Sequence, residues 1–230
     1  MNPENAHVRF HEGDAVARLL FGEHRSSEPV CYIVGAGANY GLDFIANKGD
    51  YVIAADGGFA HLRKAGIEAD LAIGDFDSLG EKPEAKKVVS LNSEKDDTDT
   101  LAALRSGIAK GYRSFCIYCG TGGRFEHTLA NIQCLAFLAN NGKRGWLVDK
   151  DVVMTALSNG SVCFGDTCRG FVSVFAHTEK AKGVSIKGLK YEVENAELSS
   201  DFPLGISNEF IGKPGRIHVK DGVLLVVYPR

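Results

Sequence analysis

The sequence predicts an α/β protein with an N-terminal Rossmann-like domain, built on a mainly parallel sheet, and a C-terminal antiparallel β domain, a sandwich or a barrel. Three observations carry that expectation. Up to about residue 150, short apolar runs alternate with helix-length amphipathic segments, the texture of βα units. Beyond residue 150, short β-rich runs follow one another between Gly, Asn, Asp or Pro, with no helix-length amphipathic segment. Third, acidic clusters follow apolar runs: Asp56-Gly57-Gly58, Gly74-Asp75-Phe76-Asp77-Ser78 and, four residues after its run, Lys95-Asp96-Asp97-Thr98-Asp99. In a parallel sheet the residues after the strands share one edge, where open α/β sheets bind ligands.

The division expected is therefore an extension over residues 1–27, an α/β domain over 28–150 and an antiparallel β domain over 151–230. With 230 residues, 44% of them hydrophobic, the chain can bury one large core or two modest ones. A net charge of -3 without a Lys/Arg run gives nucleic acid no surface. No apolar run approaches the ~20 residues that span a bilayer. Glu4, Glu12, Asp14 and Glu23 stand where a signal peptide needs apolar residues, which makes the cytoplasm the default. His7, His11 and His24 lie in that polar segment and read as solvent-exposed.

Val30–Val34 reads as the first strand, followed by Gly35-Ala36-Gly37-Ala38-Asn39-Tyr40-Gly41 and a segment with Leu42 and Ile45 at helical spacing. A strand, glycine loop and helix make a phosphate-binding arrangement, with Gly35 and Gly37 allowing close approach. The G-x-G-x-x-x-G spacing is one residue longer than the dinucleotide fingerprint, and Asp56 stands where that fold keeps its ribose-binding acid. A dehydrogenase, however, leaves Asp75, Asp77, Asp96 and Asp99 without a task.

Val52–Ala55 is a second strand, and Phe59, Leu62 and Ala65 predict a helix over 58–65 that stops at Gly66. Leu71–Ile73 and Val88–Leu91 are short apolar runs. A helix follows from Asp97 or Thr98 as N-cap, with Leu101, Leu104 and Ile108 on its buried face. After the strand Ser114–Cys119, Gly120-Thr121-Gly122-Gly123-Arg124-Phe125-Glu126-His127 makes a second candidate phosphate loop. It leads into a helix through Leu129, Ile132, Leu135 and Leu138 that ends near Gly142.

Gly145–Val148 closes the βα pattern. Strands are then predicted at Val152–Leu157, Ser161–Phe164, Phe171–Ala176, Val184–Ile186, Ile217–Val219 and Val223–Tyr228, with Ser207-Asn208-Glu209-Phe210 read as a turn. The six cysteines read as free thiols, mostly in the core. Cys116 and Cys119 have C-x-x-C spacing, but residues three apart on a strand face opposite ways.

Any single Asp serves well as a turn residue or helix cap. Three acidic clusters on one sheet edge repel each other unless a cation compensates them, and hard oxygen ligands suit magnesium shared with nucleotide phosphates. Arg124 offers a planar fork for phosphate oxygens and Lys95 a compact charge, although each could simply neutralise nearby carboxylates. His127, at a helix start, suits a neutral hydrogen-bonding role.

These motifs, in this order over roughly residues 30–230, resemble the thiamine pyrophosphokinase (thiamine diphosphokinase) family. The resemblance implies transfer of a diphosphoryl group from ATP to the hydroxyethyl arm of thiamine, giving AMP and thiamine diphosphate, with magnesium. It also implies a homodimer whose active sites lie between one subunit's α/β domain and the other's sandwich. By position, Asp75, Asp77 and Asp99 resemble metal-binding carboxylates, with Asp56, Gly57 and Asp96 supporting metal or nucleotide. Lys95, Arg124, Gly122, Gly123 and His127 match the phosphate side; Ser207 and Asn208 match the segment that binds the thiamine pyrimidine, and Phe210 a stacking surface. Glu126 departs from the pattern, which has Asp before His, and residues 1–27 lie outside it. The rival readings are a nucleotide- or thiamine-binding sensor without turnover, and a metal-dependent glycosyltransferase using Asp75-Phe76-Asp77.

Overall fold

The computed structural model describes residues 28–76, 85–91 and 97–230; Asp77, Lys95, Asp96 and the segment 1–27 lie outside the described residues. Six strands form the first layer: β1 (Val30–Val34), β2 (Tyr51–Ala55), β3 (Leu71–Gly74), β4 (Val88–Ser90), β5 (Ser114–Tyr118) and β6 (Arg144–Val148). They pair in parallel in the order β6-β5-β1-β2-β3-β4. Every residue of β1, β3 and β5 is buried, as expected of strands covered on both faces.

Alternation along the strands sorts side chains between two layers. Cys31, Ile33, Ile53 and Ile117 pack with Leu104 of α2 (Asp99–Ala109) and Leu135 and Leu138 of α3 (Phe125–Asn140). Tyr32, Val34, Val52 and Ala54 pack on the opposite side with Phe59 and Leu62 of α1 (Gly58–Ala65). Gly66 ends α1 in the left-handed region at φ 69°, donating its N–H to the last turn, and Thr98 caps α2 by accepting from the Leu101 N–H at 3.2 Å.

The helix expected after Gly41 does not form; 41–47 carries no regular structure, and Ile45 is 70% exposed. Phe44, which the helical spacing passed over, is the buried residue, stacked on Tyr32 at 4.2 Å and tilted against Tyr118 at 5.1 Å. One aromatic anchor thus lays the segment across the sheet, and Asp50 fixes its far end by accepting from the N–H groups of Val30 and Asn47. On α3, Leu129 is also exposed, because the buried stripe runs through Asn131, Cys134, Leu135 and Leu138.

The remaining strands are β7 (Val152–Phe164), β8 (Phe171–Ala176), β9 (Lys180–Lys187), β10 (Val193–Ser199), β11 (Gly205–Glu209) and β12 (Gly215–Pro229). β7 and β12 each merge two of the predicted runs. Their polar interruptions are bends, with Asn159 at φ 49°, Gly222 at φ 91° and a register shift between Val219 and Val223. At its bend β12 changes neighbour: residues up to Asp221 pair with β9, and those from Leu224 pair with β8. The two arms close over one core of Val172, Val174, Val184, Ile186, Ile217 and Val226. Antiparallel pairing of β6 with β7 makes the described strands one hydrogen-bonded sheet from β4 to β10.

Two strands went unpredicted, β10 and β11. The segment read as a turn at Ser207–Phe210 is largely β11, paired with β8 through a bulge between Gly205 and Asn208. All six cysteines are free, and Cys31, Cys116, Cys119 and Cys134 are buried, as expected of most of them, while Cys163 is exposed and Cys168 half-buried.

Candidate active site

The strand order turns at β1, which has β2 on one side and β5 on the other. The loops after β1 and β5 leave the same sheet edge side by side, the position where open α/β sheets form a ligand crevice. A cleft of about 260 Å³ opens there. Its walls include Gly35 and Gly37 after β1, Asp56 after β2, Asp99 at the start of α2, and Gly123, Arg124 and His127 around the start of α3.

Three of the strand ends carry non-glycine residues in the left-handed region: Asp56 at φ 49° after β2, Phe76 at φ 57° after β3 and Cys119 at φ 53° after β5. Such conformations cost on the order of 1–3 kcal/mol each and gather at functional sites. The Asp56 N–H donates to Ile73 O at 2.9 Å while its carbonyl accepts from Phe59, so the residue turns β2 into α1. A Cβ on Gly74 would stand 2.9 Å from the Asp56 Cα, so β3 ends pressed against Asp56 and delivers half-buried Asp75 next to it. Asp97, by contrast, is ion-paired with Arg105.

Two helices begin at the cleft. The N-termini of α2 and α3 bring partial positive charge to a space bordered by Asp56 and Asp99, a field suited to phosphate with a cation. No side chain caps α3 at Arg124. Arg124 Nε instead donates to Glu126 Oε1 at 2.6 Å, with the two side chains 74% and 65% exposed. The Glu126 carboxyl is held below its ordinary range first by its own backbone amide and then by Arg124. An ion pair this exposed contributes little, so Arg124 can leave it for a phosphate.

The two glycine loops are not separate cradles. Gly35 N–H donates to Tyr118 O at 2.9 Å, Gly37 N–H to Cys119 O at 2.8 Å and Ala38 N–H to Thr121 O at 2.8 Å. The amides that would wrap a phosphate are thus used to lock one loop to the other, and no helix follows the first loop to add its dipole. Glycine is required at 37 because a Cβ would overlap the Thr121 carbonyl, and Gly122, at φ 71°, leaves room for the Tyr40 hydroxyl. Gly57 packs behind Asp56 with its Cβ position 3.1 Å from Ala36 Cβ.

Side chains absent from the sequence expectation brace this wall. Thr121 Oγ1 donates to Asp149 Oδ1 at 2.7 Å, Asn131 Nδ2 donates to Gly120 O at 2.7 Å, and His61 Nε2 lies 2.9 Å from Gly37 O. Asn131 had a signal: it is a polar residue in register with the apolar stripe of α3.

Ser207, Asn208 and Phe210 do not border this cleft. Ser207 is exposed on β11 at φ 57°. Asn208 is 5% exposed and pins the neighbouring loop, its Oδ1 accepting from Tyr191 N–H at 3.0 Å and its Nδ2 donating to Tyr191 O at 2.7 Å. Phe210 is a core residue rather than an open stacking surface: it is 5% exposed, with its ring edge-to-face with Phe164 at 5.0 Å.

Among the described residues no three His, Cys, Asp or Glu side chains close a metal site by themselves. Magnesium does not require one, since it takes one or two carboxylates and completes its shell with phosphate and water. Asp56 and Asp99 in the cleft wall and Asp75 beside Asp56 suit such an ion.

Residues 42–146 match the family described as thiamin pyrophosphokinase, catalytic domain, and residues 165–224 match thiamin pyrophosphokinase, vitamin B1 binding domain. The thiamine pyrophosphokinase of Bacillus subtilis (strain 168) is 30% identical over 182 residues, 76% of this chain and 85% of the relative. The crystal structure of a Bacillus subtilis thiamine pyrophosphokinase superposes with a TM-score of 0.77 at 27% identity, covering 87% of this chain and 98% of that one. A Geobacillus thermodenitrificans thiamin pyrophosphokinase gives 0.75 at 26% identity, covering 87% and 97%. Two matched segments in the same order, a relative alike over most of both chains, and a shared two-part fold make this chain a member of the thiamine pyrophosphokinase family of transferases.

Proposed function

We propose that the protein transfers a diphosphoryl group from ATP to the hydroxyethyl group of thiamine, releasing AMP and thiamine diphosphate. The observation that carries this reading is the cleft at the β1/β5 turning point, where Asp56, Asp99 and the N-termini of α2 and α3 border one space. Asp56, Asp75 and Asp99, with Asp77 outside the described residues, would hold magnesium, which when bound offsets the charge of the phosphate chain. The thiamine hydroxyl attacks the β-phosphorus in line and its proton passes to solvent, while the bond from the β-phosphorus to the oxygen bridging the α-phosphate breaks and its electron pair leaves on AMP. Arg124, swung from Glu126, and Lys95 stabilise the transferred group. Positioning and electrostatics account for most such catalysis, and no general base is assigned.

The acceptor half is proposed to lie over residues 151–230, with Ser207 and Asn208 beside the thiamine pyrimidine. Because no residue of that half borders the cleft, the site is read as completed by β11 of a second copy in a homodimer. Exposed Phe171, Phe202, Leu204 and Ile206 around β11, and Phe125 and Leu129 on α3, are the apolar surface such a dimer would cover. Among the described residues no helix is long and apolar enough to cross a membrane; action in the cytoplasm is part of the proposal.

Incubation of purified protein with ATP, magnesium and thiamine tests the reaction. Equal amounts of AMP and thiamine diphosphate are expected. ADP with thiamine monophosphate would replace it with simple kinase chemistry, and binding without turnover would favour the sensor.

A further inference from the structure

The first glycine loop lacks the helix that ordinarily anchors such a loop, yet it forms a wall of the cleft. Its anchor comes from the far end of β12. Arg230 Nη2 lies 2.8 Å from Asp43 Oδ2 and donates to Gly41 O at 3.2 Å, so it grips the segment that continues the β1 loop. Its Nη1 donates to Asp149 O at 2.8 Å, and Asp149 Oδ1 is the acceptor for Thr121 of the β5 loop. One guanidinium therefore holds the segment after β1 directly and reaches the β5 loop through Asp149. The side chain is only 13% exposed, and its backbone N–H is held by Asp151 O at 3.1 Å. Tyr40, which precedes Gly41, rests its hydroxyl over Gly122 and closes the circuit between the two loops.

We infer that Arg230 is a positioning residue for the donor-nucleotide cleft: it holds the β1 and β5 loops in register with the starts of α2 and α3. The inference rests on the nucleotide reading of that cleft. Arg230 does not border the cleft and touches no reacting atom, so it acts through Gly41, Asp43 and Asp149. A planar fork suits the task because its nitrogens point to different partners at fixed angles; a lysine ammonium in the same place can satisfy Asp43 but cannot also reach the Asp149 carbonyl.

The test uses full-length protein with Arg230→Met and Arg230→Lys, reading the Kd for ATP with magnesium, the KM for thiamine and the Tm. Arg230→Met is expected to weaken binding of ATP with magnesium by about ten- to a hundredfold, the scale on which loss of a group that supports a site's direct ligands is felt. The thiamine KM should change less than about twofold, since uniform loss belongs to a different kind of defect. Ethylguanidine in the medium should restore part of the ATP affinity of Arg230→Met. Arg230→Lys, with the Asp43 pair kept, should hold its Tm within about 2 °C of wild type and still lose most of its ATP affinity. Should Arg230→Met fail to fold, Arg230→Lys decides. Wild-type ATP affinity in either folded variant, or ATP and thiamine parameters declining together with Tm, would overturn the inference. Wild-type protein that does not bind ATP would overturn the nucleotide reading and this inference with it, an outcome distinct from wild-type binding with unaffected variants.

Discussion

At the scale of single residues, the site combines groups the sequence exposes with groups it hides. Asp56 and Asp99 were legible because each is an acid set just beyond a strand or at a helix start, and the structure places both on the cleft. Thr121 and Asp149 were not: their bond joins residues 28 positions apart, and neither residue type is unusual after a strand. The thiols are a second case, since burial rather than sequence sets their chemistry. Burial pushes Cys119 from 9.0 up to about 11, and burial with the nearby Asp97 carboxylate does the same for Cys134. Cys31 and Cys116 are pushed up as well. Each thiol keeps its proton in the folded protein after the unfolded chain has begun to lose it. Their contribution to stability is therefore complete below about pH 9 and declines as the pH rises toward 11. The urea midpoint should be lower at pH 10 than at pH 8, and an unchanged midpoint would contradict the burial of these thiols.

At the scale of elements, what the sequence shows depends on how local each signal is. α1 and α2 carry an apolar stripe together with a terminal residue that acts within one turn, Gly66 for one and Thr98 for the other. Both lie where the spacing puts them. The segment after Gly41 had spacing without a cap, and a single stacking contact between Phe44 and Tyr32 outweighed it. β11 exists because β8 lies beside it, and its 207–210 stretch reads locally as a turn. Local reading could not see that partner. The cap on α2 has an energetic consequence: Thr98→Ala leaves the Leu101 N–H without its acceptor and should cost about 1 kcal/mol in denaturant unfolding. Because Asp99 is the next residue, activity should fall further than stability alone explains. A variant with wild-type stability and activity would show that the cap neither holds the helix start nor orients Asp99.

At the scale of the whole molecule, the two textures in the sequence correspond to a mainly parallel layer and an antiparallel one, but their junction was not visible. β7 and β12 each bend at a polar interruption, so a break in the apolar pattern that reads as a loop is a bend within one continuous strand, and at its bend β12 exchanges β9 for β8 as neighbour. The consequence is continuity: β6 pairs with β7, β7 with β12, and the chain from β12 returns through Arg230 to the loop after β1. The cleft is thus framed by the parallel layer, and Arg230 ties the loop after β1 to the end of the antiparallel one. The account stands on the location of that cleft, and amide hydrogen exchange with and without ATP and magnesium tests it most directly. Bound ATP should slow exchange in peptides covering 56–60, 97–101 and 119–128, the segments around Asp56 and the starts of α2 and α3. Protection confined to 151–230, with those three segments unchanged, would contradict it.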